Sequence, residues 1–184
     1  SISDFLNIFI IGYAIFIAWW ATTANRNLQP SENAVDKLIV QLQMVGAFLM
    51  SITMAATFEG QYVWFFVAFG FVRLLQSAML MLMYYRHPST RPVTYNILQG
   101  FLTAAVLWVI SGFLPAPWHF IVAGAALTLD IATPLTRGVG NTVRYMNVYH
   151  LQERLGLFLM LVIGESMIVV ALSNTATSLT VNEP

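Results

Sequence analysis

The sequence contains no cysteine, which excludes disulfides, thiolate metal sites and cysteine nucleophiles. Charge is also scarce. Only 9% of the 184 residues are Asp, Glu, Lys or Arg, whereas soluble domains carry about 25%. No basic tract suggests nucleic acid or a polybasic lipid anchor, and the formal net charge is +0. Nucleotide, phosphate and catalytic-triad motifs are missing as well, so an enzyme is not expected. The start of the chain lacks the basic stretch and small-residue cleavage site of a signal peptide, so its first apolar segment is expected to remain as a span.

What is present is hydrophobic: 58% of the residues, with a mean hydropathy of +0.73. The apolar runs are long, each near the roughly 20 residues that a helix needs to cross about 30 Å of hydrocarbon. They predict an all-α polytopic transmembrane bundle, a single domain over residues 1–184, in contact with the lipid bilayer. Six spans are expected, at about 5–24, 38–56, 62–85, 95–114, 118–133 and 148–172. Trp19 and Trp20 near the end of span one suit the interfacial zone. Pro30 breaks the first loop and Asn33 is a candidate N-cap. Glu59-Gly60-Gln61 leaves room only for a tight hairpin, and Pro115 and Pro117 make another turn. Span five is expected to close at Pro134, and Asn174 to Pro184 reads as a polar tail.

Polar residues within the spans need neighbours. Gln41, Gln43, Ser51 and Thr53 of span two are expected to face other helices rather than lipid. The basic residues Arg26, Lys37, Arg86, Arg91, Arg137 and Arg144 are expected in the loops 1–2, 3–4 and 5–6, which share one side of a six-span chain. Because positive loops favour the cytoplasm, both termini are expected on the non-cytoplasmic side.

Two arginines and several carboxylates lie at membrane depth, where charge is costly and marks a candidate site. The predicted polar core is Arg73, Asp130, His150, Glu153, Arg154 and Glu165. At about 100° per residue, Arg154 and Glu165 fall about 20° apart on span six, with His150 one turn from Arg154. Depth suggests that Asp130 pairs with Arg154 or His150, and Arg73 with Glu153 or Glu165. Such a network either fixes the bundle or forms a path for ions, protons or a small polar solute, with Glu165 as the titrating group. His87, His119 and His150 are isolated, so no metal site is expected, and no motif indicates a cofactor. Gly156 and Gly164 mark close helix contact, or else the helix unwinds at Gly164-Glu165-Ser166 to expose carbonyls.

The span-six string, Glu153-Arg154 followed by Gly156-Leu157-Phe158 and then Gly164-Glu165-Ser166, resembles the bacterial low temperature requirement protein A family. Trp19-Trp20 running into Asn25-Arg26, with Arg73, Trp108 and Asp130, fits the same pattern in order. The resemblance covers roughly residues 17–171 and implies a multi-pass protein of the bacterial inner membrane, with no defined activity. Family members usually continue with further spans after the Gly-Glu-Ser helix, whereas this sequence ends soon after it. A half-length bundle with intramembrane charges would need its open face covered, by a homodimer or a larger complex. Two functions are therefore expected to compete. One moves a small solute or ion through the charged core. The other is that of an accessory subunit of a larger membrane assembly, respiratory or photosynthetic, in which the charges are scaffold only.

Overall fold

The computed structural model describes residues 2–28, 33–88, 91–115, 117–137 and 147–181. The described residues form six helices and no strand: α1 (Ile2–Leu28), α2 (Ala34–Phe58), α3 (Val63–Arg86), α4 (Arg91–Phe113), α5 (Trp118–Arg137) and α6 (Val148–Val181). Five of them, α1 to α5, contain stretches long and apolar enough to cross a membrane: Phe5–Asn27, Ala34–Thr57, Val63–Arg86, Thr94–Phe113 and Trp118–Thr136. Only a helix satisfies its own backbone in hydrocarbon without a partner strand, which explains why such apolar sequences take this form. The chain divides into two units, Ser1–Met146 and Asn147–Pro184.

In the first unit α3 is the central helix. It packs on α1, α2 and α4, and α4 packs in turn on α5. Its apolar stretch is 61% buried, against 22% to 44% in the other four. Phe65, Phe66 and Phe69 of α3 are buried with Trp108 and Ala104 of α4, Ala123 and Ala126 of α5, and Ala14 and Ala18 of α1. Between apolar helices in lipid there is little hydrophobic driving force, so association depends on close packing and small residues at the contact. Gly70 is such a residue: a side chain there would meet Val109 and come within 3.5 Å of the Ala105 carbonyl.

The helix ends follow local chemistry. Asn33 sits at the N-cap of α2 in extended backbone, as expected. After α2 the chain turns in a Schellman motif: Gln61 N–H donates to the Ala56 carbonyl at 2.9 Å and Gly60 N–H to the Thr57 carbonyl at 3.1 Å. Gly60 holds φ +86° there, a conformation that a Cβ disfavours. In the second unit Asn147 caps α6, its Oδ1 accepting from the His150 N–H at 3.3 Å.

Several boundaries differ from expectation. Pro134 does not close the fifth helix, which runs on to Arg137. A proline late in a helix removes only the bond to the carbonyl four residues earlier, here Asp130, so the last turn survives. The expected tail from Asn174 continues α6 to Val181, because that segment has neither Gly nor Pro to stop it. Nor does α6 unwind at Gly164-Glu165-Ser166. The ends of the helices reach past the apolar runs, so Arg26, Lys37, Arg86, Arg91 and Arg137 occupy terminal turns. Arg144 and Pro30 lie outside the described residues.

Candidate functional site: a buried charged node

One side of α3 carries the polar centre of the first unit. Arg73 and Asp130 form an ion pair with both side chains wholly buried. The pair is held from several directions. The Trp108 indole N–H of α4 donates to Asp130 Oδ2 at 2.8 Å, and an Arg73 terminal nitrogen donates to Gln76 Oε1 at 2.8 Å. The Phe101 ring lies under the guanidinium, 4.1 Å from centroid to Cζ, a cation–π contact that gains weight away from water. Trp108 is fixed in turn by Phe66, stacked at 5.5 Å, and Phe69, edge-on at 5.0 Å.

Gln76 extends the node to the other helices. Its Nε2 donates to the Ala18 carbonyl at 2.8 Å and to Thr22 Oγ1 at 3.1 Å. The Thr22 hydroxyl is 2.8 Å from the Ala18 carbonyl and 2.9 Å from Gln43 Oε1, and its one proton serves either. Asn25 Nδ2 donates to the Gln76 carbonyl at 3.4 Å. A hydrogen-bonded chain thus links α1, α2, α3, α4 and α5. Three of its neighbouring polar atoms have no protein partner: Arg73 Nε, Gln43 Nε2 and the Tyr13 hydroxyl. Tyr13 is near enough to Asp130 and Arg73 to feel both charges.

Of the expected core residues, the structure brings Arg73 and Asp130 together. That corrects the expected partners, Arg154 or His150 for Asp130 and Glu153 or Glu165 for Arg73. Ending the fifth span near Thr133 had put Asp130 close to a membrane surface. With α5 continuing to Arg137, Asp130 is about 18 Å along α5 and Arg73 about 15 Å along α3, two helices that run the same way. The other four lie on α6 with exposed side chains. There His150 Nδ1 stands 3.4 Å from Glu153 Oε2, a solvent-type contact between half-exposed groups that contributes little.

Expectation and structure also differ for the polar residues of α2. Gln43 is buried in the node, but Gln41 and Ser51 are exposed. Gln41 is about 200° around the helix from Gln43, so one packed face cannot cover both. Thr53 bonds back to the Leu49 carbonyl at 2.8 Å, which meets its need without another helix. Gln76, Thr22, Asn25 and Phe101 were not anticipated as members of the node. Gln76 was readable, being one turn from Arg73 on the same face; the residues on α1 and α4 were not.

At the opposite end of α3 from Arg86, His119 is buried, stacked on Tyr62 at 4.4 Å, and Tyr62 accepts from Asn7 Nδ2 at 3.2 Å. At the other end Asp36, 1% exposed, takes both contacts from one Arg86 nitrogen, at 2.7 and 2.9 Å.

Long apolar helices around a charged, hydrogen-bonded centre define a polytopic helical membrane protein. The sequence matches the bacterial low temperature requirement A protein family over residues 1–183, and the chain belongs to that family. An uncharacterized protein of Rhizobium meliloti (strain 1021) is 23% identical over 184 residues, a match covering 92% of this chain and 45% of that protein. The chain thus spans less than half the length of this curated relative. No solved structure matches it.

Proposed function

We propose that this chain is a non-enzymatic membrane protein that passes a small solute or ion through its bundle, with the Arg73–Asp130 node as the charged centre. One observation carries the reading: the node is buried at membrane depth yet leaves Arg73 Nε, Gln43 Nε2 and the Tyr13 hydroxyl without protein partners. A network that serves only as scaffold gains most when every buried donor is satisfied. Unspent donors beside a buried charge suit transient contacts with water or a passing polar group.

In this reading α6 is a sixth span, the basic helix ends face the cytoplasm, and both described ends of the chain face the other side of the bacterial inner membrane. The charged residues of α6, Arg154 and Glu165 above all, are its second polar set. A homodimer or a larger complex would cover the apolar outer surface. Flux into liposomes reconstituted with wild type, compared with Asp130→Asn, tests the proposal. Loss of flux in the variant supports it, and equal flux from both, or none above empty vesicles, refutes it.

A second reading has its own support. The ion pair itself is closed on several sides by Trp108, Gln76 and Phe101, as an anchor for helix register would be. The chain would then be an accessory subunit of a larger membrane complex. A stoichiometric place in such a complex, found by intact mass after gentle extraction, favours that reading.

A further inference from the structure

His119 is a buried polar group that the node does not use. It stands in the first turn of α5, 1% exposed, and neither of its buried ring nitrogens has a hydrogen-bond partner. Its ring is held by its faces instead. It stacks on Tyr62 at 4.4 Å and lies 3.7 Å from the Phe120 ring. Tyr62 directly precedes α3, after the Gly60 turn, and its hydroxyl accepts from Asn7 of α1 at 3.2 Å. The His119 backbone N–H donates to the Pro115 carbonyl, just after α4, at 3.3 Å. One imidazole thus joins α1, the α2–α3 turn and the start of α5 at one end of the first unit.

As packing alone, histidine is a poor choice here. A neutral imidazole carries one N–H donor and one lone pair. Both go unused in this slot, a desolvation cost that a phenylalanine would avoid while stacking equally well. What histidine adds is a change of charge between about pH 5 and 8. An imidazolium has two donors, and neither nitrogen has an acceptor in the slot. Nor do the packed elements supply a counter-charge. Tyr62 is uncharged below about pH 10, and α1 presents the amide of Asn7. Glu59 of the α2–α3 turn is exposed, and Asp130, about 16 Å farther along α5, is paired with Arg73. The first turn of a helix also carries the positive end of its dipole, which disfavours a cation. Water is close, because His119 is the second residue of the apolar stretch of α5 and follows the exposed Trp118.

We propose that His119 is a proton-operated latch. Neutral, its ring closes this end of the first unit against Tyr62. Protonated, it leaves the slot for the membrane–water boundary, and the start of α5 parts from the α2–α3 turn. Acid therefore opens this end, and neutral pH closes it. The latch lies apart from the Arg73–Asp130 node and holds whether the chain passes a solute or serves as a subunit.

The sequence has no cysteine, so nitroxide labels at Gln61→Cys and Trp118→Cys, both exposed positions of the first unit, report the separation of the turn from α5. The labelled full chain in phosphatidylcholine nanodiscs is measured by double electron–electron resonance at about pH 8 and about pH 5. A longer-distance population is expected at the lower pH, several-fold larger than at the higher. His119→Phe and His119→Gln have no titrating ring, and in either background the distance distribution is expected to be the same at both pH values. His87 and His150 remain in every protein compared. An unchanged distribution with His119 in place overturns the proposal, whether or not the variants fold. A pH shift that persists in either folded variant belongs to another group and also overturns it.

Discussion

Removing one member of the Arg73–Asp130 pair should cost far more than removing both. Arg73 has no exposed surface, and Asp130 is its charged partner. Asp130→Leu would leave the guanidinium with Gln76 and Phe101 only. A buried charge stripped of its partner costs about 3–5 kcal/mol, of the same order as the roughly 2.5–3.5 kcal/mol for an arginine inserted at a bilayer centre. Arg73→Met would strand the carboxylate with the Trp108 N–H as its remaining donor, at a similar cost. In the double variant Arg73→Met with Asp130→Leu, neither charge is left to bury, and such replacements are often neutral or stabilising. The double variant is expected within about 1 kcal/mol of wild type, giving a coupling of about 5 kcal/mol or more. Unfolding in mixed detergent with increasing dodecyl sulfate, followed by circular dichroism, measures all four proteins. A coupling below about 0.5 kcal/mol would mean that the two charges do not depend on each other, and the central packing argument would fail.

Gly70→Ala should destabilise by about 1–3 kcal/mol through overpacking, because its Cβ would run into the Val109 side chain; Val109→Ala in the same chain should restore most of the loss in the same assay. Gly60→Ala is expected to cost about 1 kcal/mol for a non-glycine residue held at positive φ, with no change in helix content by circular dichroism. Asp36→Ala should cost about 1 kcal/mol, since Arg86 remains 29% exposed and recovers water when its partner is lost; a loss as large as that at Asp130 would contradict the difference in burial.

How much of this was legible before the structure depends on the interaction. Helix class and the positions of the five apolar stretches on α1 to α5 followed from apolar run length, because the bilayer imposes one length on every crossing. The helix start at Asn33 and the turn at Gly60 were local and equally readable. Arg73 and Asp130 were singled out individually, since charge in an apolar run stands out in any reading. Their partnership was not legible. It depends on where α5 ends, and Pro134 signals a stop that the helix does not obey. Nor did the sequence distinguish Gln43, inside the node, from Gln41 two residues earlier; that choice is made by which face of α2 meets α1 and α3. Trp108 was noticed through family resemblance alone. Its role follows from physical need, since a buried indole N–H seeks an acceptor and the Asp130 carboxylate provides one.

The double variant Arg73→Met with Asp130→Leu also separates scaffold from passage. Reconstituted in liposomes beside wild type, it is expected to keep its fold and lose the flux, because the charged centre is gone while the packing remains. Wild-type flux that persists in this variant, which lacks the buried pair, would contradict the account: Arg73 and Asp130 would then hold the helices together and carry nothing.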